Sequence, residues 1–140
     1  MKGLAASVTA SILLFTLAGC AAGSTRPVQD QAGLIASLRA AGAQVEQGEP
    51  ISQPFFTPDG RSLQVDAADI QVFEYRDGQS MEAEASQVAA DGASVGTTMV
   101  DWLAPPHFYK GGRILVLYLG DDKGILGLLM SVLGAQFAGQ

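Results

Sequence analysis

The chain has 140 residues with 8 Lys and Arg, 14 Asp and Glu, a formal net charge of −6, one His and one Cys. This acidic balance argues against a nucleic-acid-binding protein, which needs a basic surface to neutralise phosphates. One Cys cannot form an internal disulfide, and one Cys with one His cannot build a Cys/His zinc site, so we expect no metal and no cofactor. The length and the 48% hydrophobic residues suit one domain with a real core.

The first 20 residues combine a positive charge, an uncharged apolar run and the only cysteine. Lys2 supplies the charge, residues 4–17 form the run, and Leu17-Ala18-Gly19-Cys20 ends it. The strongly apolar part is roughly a dozen residues long, shorter than the ~20 that a membrane-spanning helix needs. This pattern is typical of a signal peptide.

The segment resembles the lipobox signal peptide of bacterial membrane lipoproteins. The resemblance implies that the Cys20 thiol receives a diacylglyceryl group, that cleavage falls between Gly19 and Cys20, and that the new amine is acylated, as with palmitate. The acyl chains on Cys20 would then anchor the protein to the membrane, facing the periplasm or the cell exterior. Because Ala21 rather than Asp follows the cysteine, the resemblance implies the outer membrane if the organism is Gram-negative. The alternative is an ordinary buried cysteine, which is at odds with its place between an apolar run and a polar stretch.

The sequence predicts three regions: a signal peptide at 1–19, the lipidated cysteine with a flexible tether at 20–30, and one α+β domain at 31–140. Residues 21–29 are rich in Ala, Gly, Ser, Thr and Pro and show no apolar periodicity, which is typical of a tether.

Capping residues predict three helices in the domain. These helices run from an Asp30 cap to Gly42, from an Asp77 or Ser80 cap to Asp91-Gly92, and from an Asp121 or Asp122 cap to about Gly134. The last helix is unusually apolar and carries Leu126, Leu129 and Leu133 on one stripe. That stripe suits packing on the sheet, although docking to a second copy, a partner or the membrane surface is an alternative.

Short β runs separated by turn residues predict the strands. They fall at residues 54–56, 62–65, 70–75, 98–103, 107–109 and 114–119. The run at 114–119 is apolar on both faces, so we expect a central strand. Residues 54–65 and 106–117 match at five of twelve positions, including Gly60 with Gly112 and Arg61 with Arg113. One interpretation is a duplicated helix-hairpin unit, and the alternative is that two hairpins independently share turn chemistry.

The predicted fold class is α+β: a two-layer domain with an antiparallel sheet of about six strands and about three helices mainly on one face. Within this fold His107 is the only histidine, and no G-x-S-x-G or comparable nucleophile setting accompanies it. The carboxylate pairs Glu82/Glu84, Asp66/Asp69 and Asp121/Asp122 all have helix-end or turn roles open to them. We therefore predict no catalytic residue and no metal site.

The aromatic residues of the predicted strands are the candidates for a binding surface. They are Tyr75, Trp102, His107 and Tyr109. The function expected from the sequence is a lipid-anchored envelope protein with a small non-enzymatic domain that binds an envelope protein or a small ligand. The alternative is a structural or assembly lipoprotein that docks through its apolar C-terminal helix, and a hydrolase ranks third.

Overall fold

The computed structural model describes residues 26–140, so the predicted signal peptide, Gly19 and Cys20 lie outside the described residues. The described chain forms three helices and eight strands. In chain order they are α1 (Gln31–Ala40), β1 (Val45–Ile51), β2 (Gly60–Val65), β3 (Ala68–Glu74), α2 (Gly78–Ala85), β4 (Ser94–Val95), β5 (Thr98–Met99), β6 (Pro106–Gly111), β7 (Ile114–Leu119), α3 (Lys123–Leu133) and β8 (Ala138–Gly139).

Six strands form one antiparallel sheet in the order β1-β2-β3-β7-β6-β8, and β4 pairs with β5 in a separate two-stranded sheet. The predicted α+β class, with three helices and a six-stranded antiparallel sheet, is confirmed. The apolar run at 114–119 is β7, which lies between β3 and β6. The prediction of a central strand there is therefore confirmed as well.

Both faces of the sheet are covered, because β7 sends apolar side chains in both directions. Ile114 and Val116 join α1 and α3 in one core, and Leu115 and Leu117 join α2 in the other. Two of the three helices thus share a face, in line with the expected arrangement. The second face is not open, however, since α2 and the aromatic loops before and after it cover that face.

The helix starts follow the local capping rules. The side chains of Asp30, Asp77 and Asp122 accept the backbone N–H groups of Gly33, Ser80 and Gly124 at 2.7–2.8 Å. Gly42 follows α1 at φ +97°, a left-handed conformation that favours glycine. These interactions join residues that are close together in the sequence, so the sequence alone predicts them.

Three predicted elements differ from the structure. The second helix ends at Ala85, because the chain then turns into a β-bridge between Val88 and Val95. The predicted strand at 98–103 is reduced to Thr98–Met99. The hairpin partner of β2 is β1 at Val45–Ile51, whereas residues 54–56 lie in the connecting loop.

The structure contradicts the interpretation of a duplicated helix-hairpin unit. Phe56 lies in a loop but Phe108 lies in β6, and Gly60 begins a strand whereas Gly112 sits in the β6–β7 turn. The aligned segments therefore adopt different structures, and their similarity is one of turn chemistry.

Candidate functional site

The predicted aromatic residues do not form one surface. Tyr75 belongs to the core on the α2 face, and Trp102 packs against that same core. Tyr109 belongs to the opposite core, and His107 stacks on Tyr118 of that core. Tyr75, His107 and Tyr109 are buried, and only Trp102 is partly exposed. Three of the four residues are therefore inaccessible to a ligand.

His107 has an environment unlike that of a catalytic base. Its Nδ1 lies 2.6 Å from Oε1 of Gln136, and its buried Nε2 has no hydrogen-bond partner among residues 26–140. No carboxylate orients the ring within the described part of the chain. The arrangement holds the loop after α3 against β6 and offers no nucleophile–base pair.

The two members of the predicted carboxylate pair Glu82/Glu84 make separate structural contacts. Glu82 forms an ion pair with Lys110, whereas Glu84 accepts hydrogen bonds from the Tyr75 hydroxyl at 2.7 Å and from Thr57. Partial burial raises the pKa of Glu84, but the hydrogen bonds from Thr57 and Tyr75 outweigh it, and the net pKa lies below the usual glutamate value. Burial, reinforced by Glu84, raises the pKa of Tyr75. Within residues 26–140, no group of three or more His, Cys, Asp or Glu side chains is placed to hold a metal ion.

The two ends of the sheet differ in what they carry. We call the end at the β6–β7 turn, Gly112-Arg113, the entry end, because residues 28–30 join the fold there. We call the opposite end, where Pro106 pairs with Leu119, the distal end. At about 3.3 Å per residue, the six residues of β6 separate the two ends by roughly 16 Å.

Residues 28–31 are fixed to the entry end. Val28 is only 6% exposed and belongs to the α1–α3 core. The carbonyl of Gln29 accepts the N–H of Arg113 at 2.9 Å, and the Glu74 carboxylate accepts the N–H of Gln31 at 2.9 Å. The folded domain therefore begins by Val28, earlier than the predicted boundary at residue 31.

Ion pairs are confined to the entry end within the described residues. They join Arg113 to Glu74 at 2.6 Å and to Asp30 at 4.0 Å, Arg76 to Asp77 at 3.0 Å, and Lys110 to Glu82. Four of the seven basic residues of the described chain lie toward this end, namely Arg61, Arg76, Lys110 and Arg113, together with the acidic residues Asp30, Asp59, Glu74, Asp77 and Glu82.

Acidic residues dominate the distal end. They are Asp66, Asp69, Asp91, Asp101, Asp121 and Asp122, against Arg39 and Lys123. Within residues 26–140 none of these six carboxylates forms an ion pair. The distal end therefore carries a net negative charge.

An exposed apolar loop leaves the distal end at residues 96–105. Met99 is 78% exposed and Leu103 is fully exposed. They are two of only three large hydrophobic side chains that are exposed in the described part of the chain. Scattered apolar residues are ordinary on a protein surface, but two within five residues of one loop form a candidate contact surface.

The loop is held in one conformation by its neighbours. Trp102 donates its indole N–H to the Gly92 carbonyl at 2.7 Å, and its ring packs edge-on against Phe55 and Phe108. The Val100 N–H donates to Ala93, and the Pro105 carbonyl accepts the N–H of Gly120, both at 3.0 Å. The exposed side chains are therefore presented by a fixed backbone.

Two cavities open at the distal end. One of about 380 Å³ lies beside the loop and is lined in part by Asp91, Val100, Asp101 and Trp102. The other, of about 770 Å³, lies between the end of α1, the β2–β3 turn and the start of α3. We take the loop and the smaller cleft beside it as the candidate functional site.

Sequence reasoning missed Met99 and Leu103, because residues 98–103 include Thr, Val and Trp, which favour strands, and were therefore predicted as one. The signal that could have found them is the Pro105-Pro106 pair with Gly96, since Pro and Gly break strand pairing and bound an exposed loop. Trp102 alone is shared between the predicted surface and the observed one.

None of the described helices is long and apolar enough to cross a membrane. No protein-family model, no curated protein and no solved structure matches this chain.

Proposed function

We propose that this protein is a lipid-anchored bacterial cell-envelope protein whose small non-enzymatic domain binds a partner through its distal end. The lipobox resemblance at Leu17–Cys20 supports the anchor. One observation carries the binding role. The chain enters the fold at one end of the sheet, and the exposed loop with its cleft lies at the opposite end.

The length of the connecting chain supports this orientation. Arg26 lies six positions after Cys20, so a fully extended connection spans at most about 22 Å. The entry end then stays close to the lipid. The acidic distal end points away, where Met99 and Leu103 are open to a partner.

A second candidate function is docking through α3, as in a structural or assembly lipoprotein. Met130 is 58% exposed on α3, and a groove of about 950 Å³ runs between α1, α3 and residues 26–30. The large side chains Ile125 and Leu129 of α3 are nevertheless buried in the core. Among the described residues, the distal loop holds two exposed large hydrophobic side chains and α3 holds one, so we rank docking through α3 second.

Anchoring is tested by Cys20→Ser in the native host. Because Cys20 is the only cysteine that could carry acyl chains, we expect the variant to lose the lipid modification and the processing that depends on it. The measurement is mass spectrometry of the purified protein together with fractionation of washed membranes. A variant that still carries acyl chains, or a wild-type protein that carries none, contradicts the proposal.

Orientation is read from the same lipidated protein in vesicles, since Trp102 is the only tryptophan. We expect brominated lipids to leave Trp102 fluorescence nearly unchanged. The matched control carries Trp102→Phe with Arg26→Trp, and there we expect strong quenching because residue 26 is only six positions from Cys20 in the sequence. Strong quenching of Trp102 contradicts a distal end that faces away from the membrane.

A further inference from the structure

We infer that the distal loop docks a protein segment that presents apolar side chains flanked by Lys or Arg. This inference rests on the proposed function, since it takes the distal end to face a partner and not the membrane. The docking surface consists of the loop that exposes Met99 and Leu103 and of the cleft beside it, which Asp91, Val100, Asp101 and Trp102 help to line.

The apolar part of the surface is preorganised. Leu103 is fully exposed and Met99 is 78% exposed, although neither belongs to a mobile terminus. The hydrogen bond from Trp102 to Gly92 and the bond from Gly120 to Pro105 fix the backbone on either side of Leu103. A partner therefore gains buried apolar area without the entropic cost of ordering this loop.

The charge around the surface selects among partners. Asp91 and Asp101 line the cleft, and its lining among the described residues contains no Lys or Arg. Asp121 follows Gly120, whose N–H is bonded to Pro105 of the loop, whereas Asp122 caps α3 and lines the other cavity. A segment with basic residues gains favourable Coulomb interactions here, whereas a second copy of the same acidic end and an anionic lipid surface are both repelled.

The shape of the cleft favours a side chain over an enclosed small molecule. Its volume of about 380 Å³ is near the lower limit of ligand pockets, which typically span ~300–1,000 Å³. Val100 and Trp102 give it an apolar wall, and Asp91 and Asp101 stand at its rim. An apolar side chain with a basic neighbour in the sequence of the partner matches both features.

The test uses the full-length lipidated protein in a non-ionic detergent, with Trp102 as the built-in reporter. The probe is the synthetic peptide Lys-Lys-Leu-Gly-Leu-Lys-Lys, and the comparison peptides replace Lys by Glu or Leu by Ser. We expect the Lys/Leu peptide to change Trp102 emission saturably, and each comparison peptide to bind at least tenfold more weakly. Added salt should weaken the binding, because it screens exposed charges.

Variants locate the binding on the protein. We expect Leu103→Ser to weaken binding of the Lys/Leu peptide about tenfold, which corresponds to ~1.4 kcal/mol, and Asp101→Asn to weaken it severalfold at low salt. The matched controls are Met130→Ser on α3 and Asp59→Asn toward the entry end, which should leave binding unchanged. Circular dichroism confirms that each variant is folded.

Each other outcome overturns the inference in a distinct way. If the Glu/Leu peptide binds as tightly as the Lys/Leu peptide, the charge of the partner does not determine binding. If Leu103→Ser binds the Lys/Leu peptide as tightly as the wild type does, the loop is not the site. No binding of any peptide also rejects this partner chemistry. A concentration-dependent dimer that Leu103→Ser dissociates identifies a second copy as the occupant. In all these cases an unquenched Trp102 in vesicles leaves the proposed display function intact, whereas strong quenching rejects that function itself.

Discussion

At the scale of single residues, Glu84 links three parts of the α2 face. Its carboxylate accepts the Tyr75 hydroxyl from the end of β3 and both the N–H and the hydroxyl of Thr57 from the β1–β2 loop. That loop carries Phe55 and Phe56, and Phe55 packs against Trp102. The hydrogen bonds of one carboxylate therefore help to position the aromatic support of the distal loop.

We expect Glu84→Gln to lower the free energy of unfolding by about 1 kcal/mol at neutral pH, a modest value because the group is partly exposed and screened. The pKa of Glu84 is lowered in the folded state, so its contribution is present above the unfolded-state pKa. It is lost as the pH falls through the lower folded-state pKa. The stability difference between wild type and variant should therefore shrink in acid.

Urea unfolding at a series of pH values measures this difference. Glu49→Gln on the exposed edge strand β1 is the matched control and should show little change at any pH. A difference between wild type and Glu84→Gln that stays constant from neutral pH to strong acid would contradict the role assigned to the ionised carboxylate.

At the scale of elements, α3 has one face in the core and one face toward solvent, and adjacent residues of the helix belong to different faces. Leu129 is fully buried in the α1–α3 core, whereas its neighbour Met130 is exposed. The helix starts at the Asp122 cap and runs back along the sheet toward Gly111, where Leu133 packs. The apolar stripe read from the sequence therefore faces α1 and β6, with Leu129 fully buried, and the remaining face is dominated by small residues.

We expect Leu129→Ala to cost about 2–5 kcal/mol of unfolding free energy, because it leaves a cavity between α3 and the sheet. Met130→Ala on the same helix is the matched control, and we expect a change within about 0.5 kcal/mol. Denaturant unfolding of the two variants measures both values. A loss below about 0.5 kcal/mol for Leu129→Ala would remove α3 from the core and favour its role as a docking element.

What the sequence predicts about these elements depends on how local the interaction is. The caps at Asp30, Asp77 and Asp122 are bonds across two or three residues, so their positions follow from the sequence. The sequence does not predict strand β1, because its residues resemble a loop: Glu46, Gln47, Gly48, Glu49 and Pro50. In the structure they form an exposed edge strand with an irregular register, which protects the edge of the sheet from pairing with another chain.

The candidate site shows the same limit. Alternation along β6 correctly indicates that His107 and Tyr109 share one face, but it cannot tell that α3 and Gln136 cover this face. The exposure of Leu103 depends on the pairing of Trp102 with Gly92 and with Phe55, which is far away in the sequence. Long-range packing therefore decides which aromatic residues are accessible.

At the scale of the whole molecule, the fold places its attachment and its open surface at opposite ends of the sheet. The α1–α3 core receives Val28 at the entry end, and the backbone of Gln29 is bonded to the β6–β7 turn. Gly112 in that turn, at φ +55°, lets Gln29 approach so closely that an added Cβ would lie 2.3 Å from its Cα. The last residues before α1 are thus part of the domain, and they fix the direction in which the chain leaves it.

The start of the folded unit can be tested by truncation. A chain beginning at residue 28 loses only the exposed Arg26 and Pro27 of the described segment, whereas a chain beginning at residue 30 also loses Val28 and Gln29. Burial of a valine contributes about 1.5–3 kcal/mol, and one backbone hydrogen bond contributes about 0.5–1.5 kcal/mol. We therefore expect 30–140 to be less stable than 28–140 by about 2–4 kcal/mol in urea unfolding, while 28–140 should match 26–140. Equal stability of 28–140 and 30–140 would show that Val28 adds nothing to the core, and the direction in which the chain leaves the entry end would then no longer be fixed by the fold.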